Sequence, residues 1–207
     1  MRLRMLLAFT PLLLYLCIIC VDYASLHLYS WRRGCEVEVF DPYGYVKGVL
    51  SECYYDVMTL GDYMHLGETD AKTIVIATHF FTSPSGEVGL GTSEEIQLYY
   101  PLVHPVRAFH VVKGILPGRM YASAPPRVFK DAHLVNKTIV LLTCKLPRID
   151  EVVEAFLGGG ARLVVVSNTP ALQPSEARRL LELVLNSLSD VKRLCATELF
   201  TCYGDAK

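Results

Sequence analysis

The sequence has little net charge and few amide side chains. Its 20 basic and 21 acidic residues leave a formal net charge of −1, without the basic excess that attracts nucleic acid. We therefore expect no nucleic-acid partner. A scarcity of heat-labile amides is one mark of proteins from hot environments. The side-chain amides in the 207 residues are Gln97, Asn136, Asn168, Gln173 and Asn186.

The cysteines lack the spacing of a zinc site. No CxxC pair is followed by a second CxxC or an HxxxH, so we expect no metal and no cofactor. The number of cysteines is odd, and the chain is too long for a small disulfide scaffold. Cys195 and Cys202 are close enough in sequence to form a disulfide in an oxidising space, or to remain two ordinary thiols. The seven cysteines are Cys17, Cys20, Cys35, Cys53, Cys144, Cys195 and Cys202.

The N-terminal segment is strongly apolar. After Arg2 and Arg4, the chain is largely apolar or aromatic as far as Trp31, interrupted at Asp22. An apolar helix of about 20 residues is long enough to span a bilayer, and no small-x-small cleavage site follows the apolar core. We therefore predict a single-pass membrane anchor at 1–33 and a soluble domain at 34–207. Arg32 and Arg33 balance the first two arginines, so the side of the membrane stays open.

Short apolar runs of β-branched and aliphatic residues predict buried strands. Thr73–His79 and Thr138–Cys144 have the same length and pattern, and 162–167 is a third such run. Apolar periodicity predicts helices at 151–157 and 174–188, and the glycines Gly158–Gly160 are expected to end the first of them. Strands that alternate with helices predict an α/β fold, a three-layer sandwich around a mostly parallel sheet.

The other segments are less regular. A first strand is predicted at 35–40, and the spacing of apolar residues at 46–64 predicts an amphipathic helix ending near Gly67. Residues 80–137 carry six prolines, which favours loops and short hairpins, with one extended piece at 107–112. The tail, 191–207, is compatible with an edge strand.

A thiol and an imidazole follow the first two apolar runs. Parallel strands end at the same edge of a sheet, so His79 and Cys144 are expected at a common edge. A cysteine nucleophile needs a nearby proton donor for the leaving group, which histidine supplies near neutral pH. A cysteine that ends an apolar strand is, however, often a core residue. Other residues stay open as the imidazole or as the group that orients it: His104, His110, His133, Glu94 and Asp131.

The order of these motifs resembles the caspase-like cysteine peptidases, which include caspases, gingipains, separases and CHAT domains. The resemblance covers about 72–188 without the middle loops, and it is nearest to CHAT domains. It is carried by three segments: Thr73–His79, Thr138–Cys144, and Gly159–Ser167 with its Gly-Ala-Arg start. It implies a caspase/hemoglobinase-like fold. It also implies His79 as catalytic histidine, Cys144 as nucleophile, and the backbone N–H groups of Phe80 and Cys144 as the oxyanion hole.

The resemblance implies a cysteine endopeptidase that acts on a protein or peptide, and the apolar N-terminal segment adds the membrane anchor. The family usually has Gly after the histidine and a small residue after the cysteine, where this chain has Phe80 and Lys145. A catalytically inactive, membrane-tethered protein-binding module is therefore the alternative. A third possibility is redox sensing or a structural disulfide among Cys35, Cys53, Cys195 and Cys202. Cleavage specificity and oligomeric state stay open.

Overall fold

A computed structural model describes residues 2–27, 34–49, 53–116, 119–144, 147–188 and 190–205. In chain order the elements are α1 (Arg2–Leu26), β1 (Val37–Phe40), β2 (Tyr54–Tyr55), α2 (Leu60–Met64), β3 (Thr73–Ala77), β4 (Phe80–Thr82), β5 (Val88–Glu95), α3 (Tyr100–Val103), α4 (Pro105–His110), β6 (Val112–Leu116), β7 (Arg119–Ala124), α5 (Pro126–Lys130), β8 (Thr138–Leu142), α6 (Ile149–Gly158), β9 (Leu163–Ser167), α7 (Pro174–Asn186), α8 (Lys192–Cys195) and β10 (Phe200–Gly204).

The main sheet of the described residues has six strands in the order β10-β9-β8-β3-β1-β2. Every neighbouring pair is parallel except β9 and β10, which are antiparallel. The three strands β3, β8 and β9 are buried along their whole length, as their largely apolar sequences predict.

Helices cover both faces of this sheet. On one face, α5 and α6 pack into a core that contains Phe129, Val152 and Phe156. On the other face, α7 buries Leu180 and Val184 against the strands. This arrangement confirms the predicted α/β class and the mostly parallel sheet between two helical layers.

The helix predicted at 46–64 is wrong. The segment instead holds the short strand β2 and the helix α2, which begins only after Thr59. Gly48 and Cys53 have positive φ values of 90° and 59°, which a right-handed helix cannot contain. The apolar residues of this segment are therefore spaced for packing against the sheet edge rather than for one helical face.

The middle segment folds more regularly than its prolines suggest. Strands β4, β5, β7 and β6 form a second, antiparallel sheet of four strands within the described residues. The extended piece predicted at 107–112 is wrong, because helix α4 continues to His110 and the strand begins at Val112. Pro105 occupies the first turn of α4, where its missing N–H costs nothing. The carboxylate of Asp22 accepts hydrogen bonds from the next two amides.

Helix α1 packs on the domain through its C-terminal end. Leu26 lies in the core beside α2, whereas the leucines from Leu12 to Leu16 are exposed. In the part of the chain that the structure describes, no helix has both the length and the apolar character that crossing a bilayer requires. The anchor at 1–33 stays a prediction, and its residues 28–33 lie outside the described part.

Two disulfides lie in the domain. Cys195 and Cys202 are joined, which confirms one of the pairings that the sequence permits, and Cys202 lies in the edge strand β10 that the tail contributes. Cys35 is joined to Cys53, which closes a loop around β1 and the turn that follows it. The structural-disulfide possibility is thus confirmed for all four of these cysteines.

Removing the first disulfide should destabilise the domain. A cross-link over 18 residues limits the unfolded chain and contributes about 3 kcal/mol. We expect the double variant Cys35→Ser/Cys53→Ser to lower the free energy of unfolding by about this amount in urea titrations. Cys195→Ser/Cys202→Ser is the matched control, and its shorter loop of 7 residues predicts a smaller loss. A larger loss for this second pair would contradict the loop-length argument.

Candidate active site

His79 and Cys144 lie at the same edge of the main sheet. Strands β3 and β8 are adjacent and parallel, and their last paired residues are Ala77 and Leu142. His79 and Cys144 each lie two residues beyond this pair. The amide of Thr78, just before His79, still donates to the carbonyl of Leu142 at 3.0 Å. Tyr45 lies close to both residues, because its hydroxyl contacts the imidazole and Cys144 contributes to the raised pKa of that hydroxyl. Neighbouring strands run about 4.8 Å apart, so the two chains leave the sheet next to each other.

Cys144 is neither sealed in the core nor fully open. It is half-buried and packs at the margin of the core beneath α7. All seven cysteines lie in the described residues, and Cys144 is the one free thiol outside α1. The backbone N–H of Leu172 donates to its Sγ at 3.2 Å. Because Leu172 belongs to the loop before α7, the β9–α7 connection fixes where the sulfur lies.

His79 is held among aromatic rings. The Tyr45 hydroxyl lies 2.6 Å from Nε2 and 3.2 Å from Nδ1. The ring of Tyr43 meets the imidazole edge-on with centroids 4.6 Å apart, and Phe81 lies 5.7 Å away. This burial lowers the pKa of His79 from its ordinary value of 6.5. The ring is therefore neutral near pH 7 and able to accept a proton.

The turn 41–46, which we call the Asp41 turn, delivers Tyr45 to the histidine. Asp41 is fully buried, and its carboxylate accepts hydrogen bonds from the amides of Tyr45 and Val46 and from the hydroxyl of Tyr54. Burial, helped by the nearby Cys144 and Asp41, raises the pKa of Tyr45 to about 12. Its hydroxyl is thus protonated at neutral pH and can donate to an unprotonated nitrogen of His79.

Gly91 makes room for the aromatic shell. A Cβ at this position would lie 2.6 Å from the Tyr43 hydroxyl and 2.8 Å from the ring of Phe81. The Tyr43 hydroxyl instead donates to the carbonyl of Thr92 at 2.9 Å. The second sheet therefore positions the ring that packs on His79, although its strands carry none of the predicted catalytic side chains.

The backbone of Phe80 is placed to donate outward. The amide of Gly91 donates to the carbonyl of His79 at 2.8 Å. In an antiparallel ladder such pairs alternate, so Phe80 opposite Leu90 occupies a non-hydrogen-bonded position with its N–H turned away from β5. Strand β4 is the edge of its sheet. The side chain of Phe80 is buried in the core on the sheet face opposite Cys144, so it does not fill the space beside the thiol.

The other candidate residues lie elsewhere. His104 contacts Asp22, and Glu94 pairs with Arg107, both at the base of α1. His110, His133 and Asp131 line a separate cavity of about 400 Å³ near α5. Of the predicted side chains, His79 and Cys144 follow adjacent strands at one edge of the sheet, and Lys145 lies outside the described residues. Among the described residues, no three His, Cys, Asp or Glu side chains are arranged to hold a metal ion.

Three residues around His79 are not among the candidates that the sequence indicates: Asp41, Tyr43 and Tyr45. The sequence Asp41-Pro42-Tyr43-Gly44 is typical of a turn but does not mark a site. The available signal was position, because Asp41 directly follows β1, and β1 neighbours β3 in the sheet. Polar residues that follow a strand at this edge are site candidates in any parallel sheet.

The shifted pKa of His79 predicts a pH dependence of stability. The unfolded chain takes up a proton near pH 6.5, before the folded protein does, because the folded-state pKa is lower. Stability is therefore unaffected by this group well above pH 6.5 and is lost as the pH falls below it. In urea titrations at pH 7.5 and 5.5, wild type should lose more stability on acidification than His79→Gln. Equal losses in the two proteins would contradict the assignment.

No protein-family model and no curated protein matches this chain. The geometry of the site is therefore the basis for any functional assignment.

Proposed function

We propose that this protein is a membrane-anchored, caspase-like cysteine endopeptidase with Cys144 as nucleophile and His79 as acid and base. The observation that carries the proposal is the placement of both residues two positions beyond the last pair of adjacent parallel strands. The mostly parallel sheet and the helix α6 between the cysteine strand and the Gly-Ala-Arg strand fit the same resemblance.

The chemistry is acyl transfer followed by hydrolysis. The neutral imidazole of His79 accepts the thiol proton as the sulfur of Cys144 attacks the peptide carbonyl carbon. The C–N bond then breaks, and the imidazolium passes that proton to the departing amine. Water, deprotonated by the same ring, attacks the thioester, which releases the acid and restores the thiol. The lowered pKa of His79 suits this cycle, because a neutral ring must begin it.

The oxyanion of the tetrahedral intermediate needs N–H donors that are already in place. The N–H of Phe80, which its own sheet does not use, supports the predicted role of this residue. The second donor is assigned to the N–H of Cys144 by the resemblance. Because the side chain of Phe80 is buried away from the thiol, its replacement of the family's glycine does not block a substrate.

The membrane tether is the second part of the proposal. Its support is the apolar sequence of 1–33 and the exposure of Leu12, Leu13, Leu14 and Leu16 on α1. The buried contacts of Asp22 and Leu26 then connect this helix directly to the domain. A phospholipid bilayer is thus the proposed partner of α1.

A peptide-based electrophile tests the catalytic part. We expect a peptidyl acyloxymethyl ketone to alkylate Cys144 in the native protein, as read by mass mapping of the digest. Labelling should fall sharply in His79→Gln, because the neutral ring no longer takes the thiol proton. The exposed thiols of Cys17 and Cys20 serve as internal controls for non-specific alkylation. Labelling of Cys144 only after denaturation would refute the peptidase proposal.

One observation favours the alternative, a non-catalytic protein-binding module. Each member of the dyad already has its own partner, since His79 contacts the Tyr45 hydroxyl and Cys144 accepts from Leu172. If Tyr45 keeps the imidazole from the thiol, the site binds without reacting. Peptide turnover by the purified wild-type protein excludes this alternative. The alternative is supported when neither wild type nor Tyr45→Phe cleaves peptides.

A further inference from the structure

Helix α1 is apolar on all sides where it leaves the domain. Leu12, Leu13, Leu14, Tyr15 and Leu16 are consecutive, and every one of them is at least 43% exposed. Five consecutive positions cover more than one turn of a helix, so these side chains point in every direction around the axis. A groove in a protein covers one face of a helix, whereas lipid surrounds it. A helix that is apolar all round therefore fits a bilayer.

A second apolar surface lies on the segment that contains α3. Leu98 is 99% exposed and Leu102 66% exposed, and Tyr99 and Val103 accompany them. We call these four residues the 98–103 surface. Clusters of exposed large apolar side chains mark contact sites for proteins or membranes.

The two apolar regions are continuous. Tyr15 of α1 and Leu102 of the 98–103 surface line one cavity of about 450 Å³, which the exposed Lys113 also lines. Tyr15 also lines a neighbouring cavity of about 390 Å³ together with Ile19 and Val106. The surface thus begins at the point where α1 leaves its contacts with the domain.

Buried polar contacts hold the two regions in a fixed relation. Asp22 is 2% exposed and accepts hydrogen bonds from the amides of Val106 and Arg107 at 2.8 and 3.1 Å. The guanidinium Nε of Arg107 lies 3.3 Å from the same carboxylate, and His104 lies 3.1 Å from it. Breaking such a buried pair is costly, so these contacts hold α1 against α4, on which α3 of the 98–103 surface packs.

We propose that the 98–103 surface lies in the interfacial layer of a phospholipid bilayer, beside the point where α1 enters it. The inference rests on the tether part of the proposed function and adds a second element to the membrane contact. Lipid fits better than a second copy of the chain, because the neighbouring α1 residues are exposed on every side. Tyr99 suits the headgroup level, where amphipathic rings collect. Lys113 suits a phosphate group at that level.

Depth-dependent quenching of tryptophan tests the proposal in the full chain. Trp31 is the only tryptophan, so Trp31→Phe gives a silent background. In this background Leu98→Trp, reconstituted in phosphatidylcholine vesicles with brominated acyl chains, should show blue-shifted emission and about twofold quenching, as expected for a side chain at the acyl boundary. Glu182→Trp is the matched control. It lies exposed on α7, on the opposite face of the sheet, and should not be quenched.

A third probe, Leu13→Trp on α1, separates this inference from the tether itself. Quenching at 13 and 98 supports both. Quenching at 13 without quenching at 98 overturns the membrane contact of the 98–103 surface and leaves the tether intact. No quenching at either position overturns the tether together with the inference. Blue-shifted but unquenched emission at 98, accompanied by a cross-linked dimer, assigns the surface to a second copy and overturns the lipid assignment.

Discussion

Cys144→Ala is expected to abolish peptide cleavage. Loss of the nucleophile removes the covalent path, which in comparable hydrolases lowers kcat by at least about 10⁴-fold. Cys144 is half-buried at the margin of the core, so we expect the substitution to change the free energy of unfolding by no more than about 1 kcal/mol. The measurement is kcat with a fluorogenic peptide library, alongside thermal unfolding of both proteins.

The matched control is Cys17→Ala/Cys20→Ala. These thiols are also free but lie exposed on α1, away from the sheet edge, and their removal should leave turnover unchanged. Cleavage by Cys144→Ala at the wild-type rate would end the peptidase proposal. Loss of cleavage together with loss of folding would call for Cys144→Ser, which keeps the shape of the side chain and should remain folded but inactive.

His79→Gln is expected to give the second-largest loss of activity. A positioned acid and base contributes about 10²- to 10⁴-fold, so kcat should fall within that range. Glutamine keeps a polar group near the Tyr45 hydroxyl, which limits the structural change. The pH profile is the more specific readout. Wild-type kcat/KM should fall below pH 6.5 as the ring is protonated, and the variant should lack this acidic limb.

His110→Gln is the control for this prediction. This histidine lies in the separate cavity near α5, so turnover and its pH profile should match wild type. An unchanged acidic limb in His79→Gln would assign the titration to another group and contradict the role of His79.

The apolar strands were predictable because burial on both faces leaves a distinct sequence pattern. Strands β3, β8 and β9 are confirmed close to their expected bounds, and so are α6 and α7, whose apolar stripes face the sheet. The positions of His79 and Cys144 followed from these strands alone. Parallel pairing alone places the two residues at a common edge, whatever contacts their side chains make.

The partners of the two residues were not predictable in the same way. Tyr45 reaches His79 through a turn whose shape depends on a buried carboxylate, Asp41, and on a disulfide between distant cysteines. Neither leaves a periodic signal. Helix α4 was missed for a similar reason, because its first turn is completed by Asp22, more than 80 residues earlier in the chain. Such long-range polar contacts override local propensity.

The disulfide between Cys35 and Cys53 has a practical consequence for any assay of this protein. Cysteine hydrolases are kept active with reducing agents, which protect the nucleophile from oxidation. Here the same reagent attacks a covalent ring that encloses Asp41, Tyr43 and Tyr45. Under the proposed function, excess reductant opens the Cys35–Cys53 disulfide and loosens the turn beside His79. Too little reductant leaves the thiol of Cys144 open to oxidation. Turnover should therefore pass through a maximum as the dithiothreitol concentration is raised. A rate that rises to a plateau would show that the Asp41 turn keeps its shape without the disulfide.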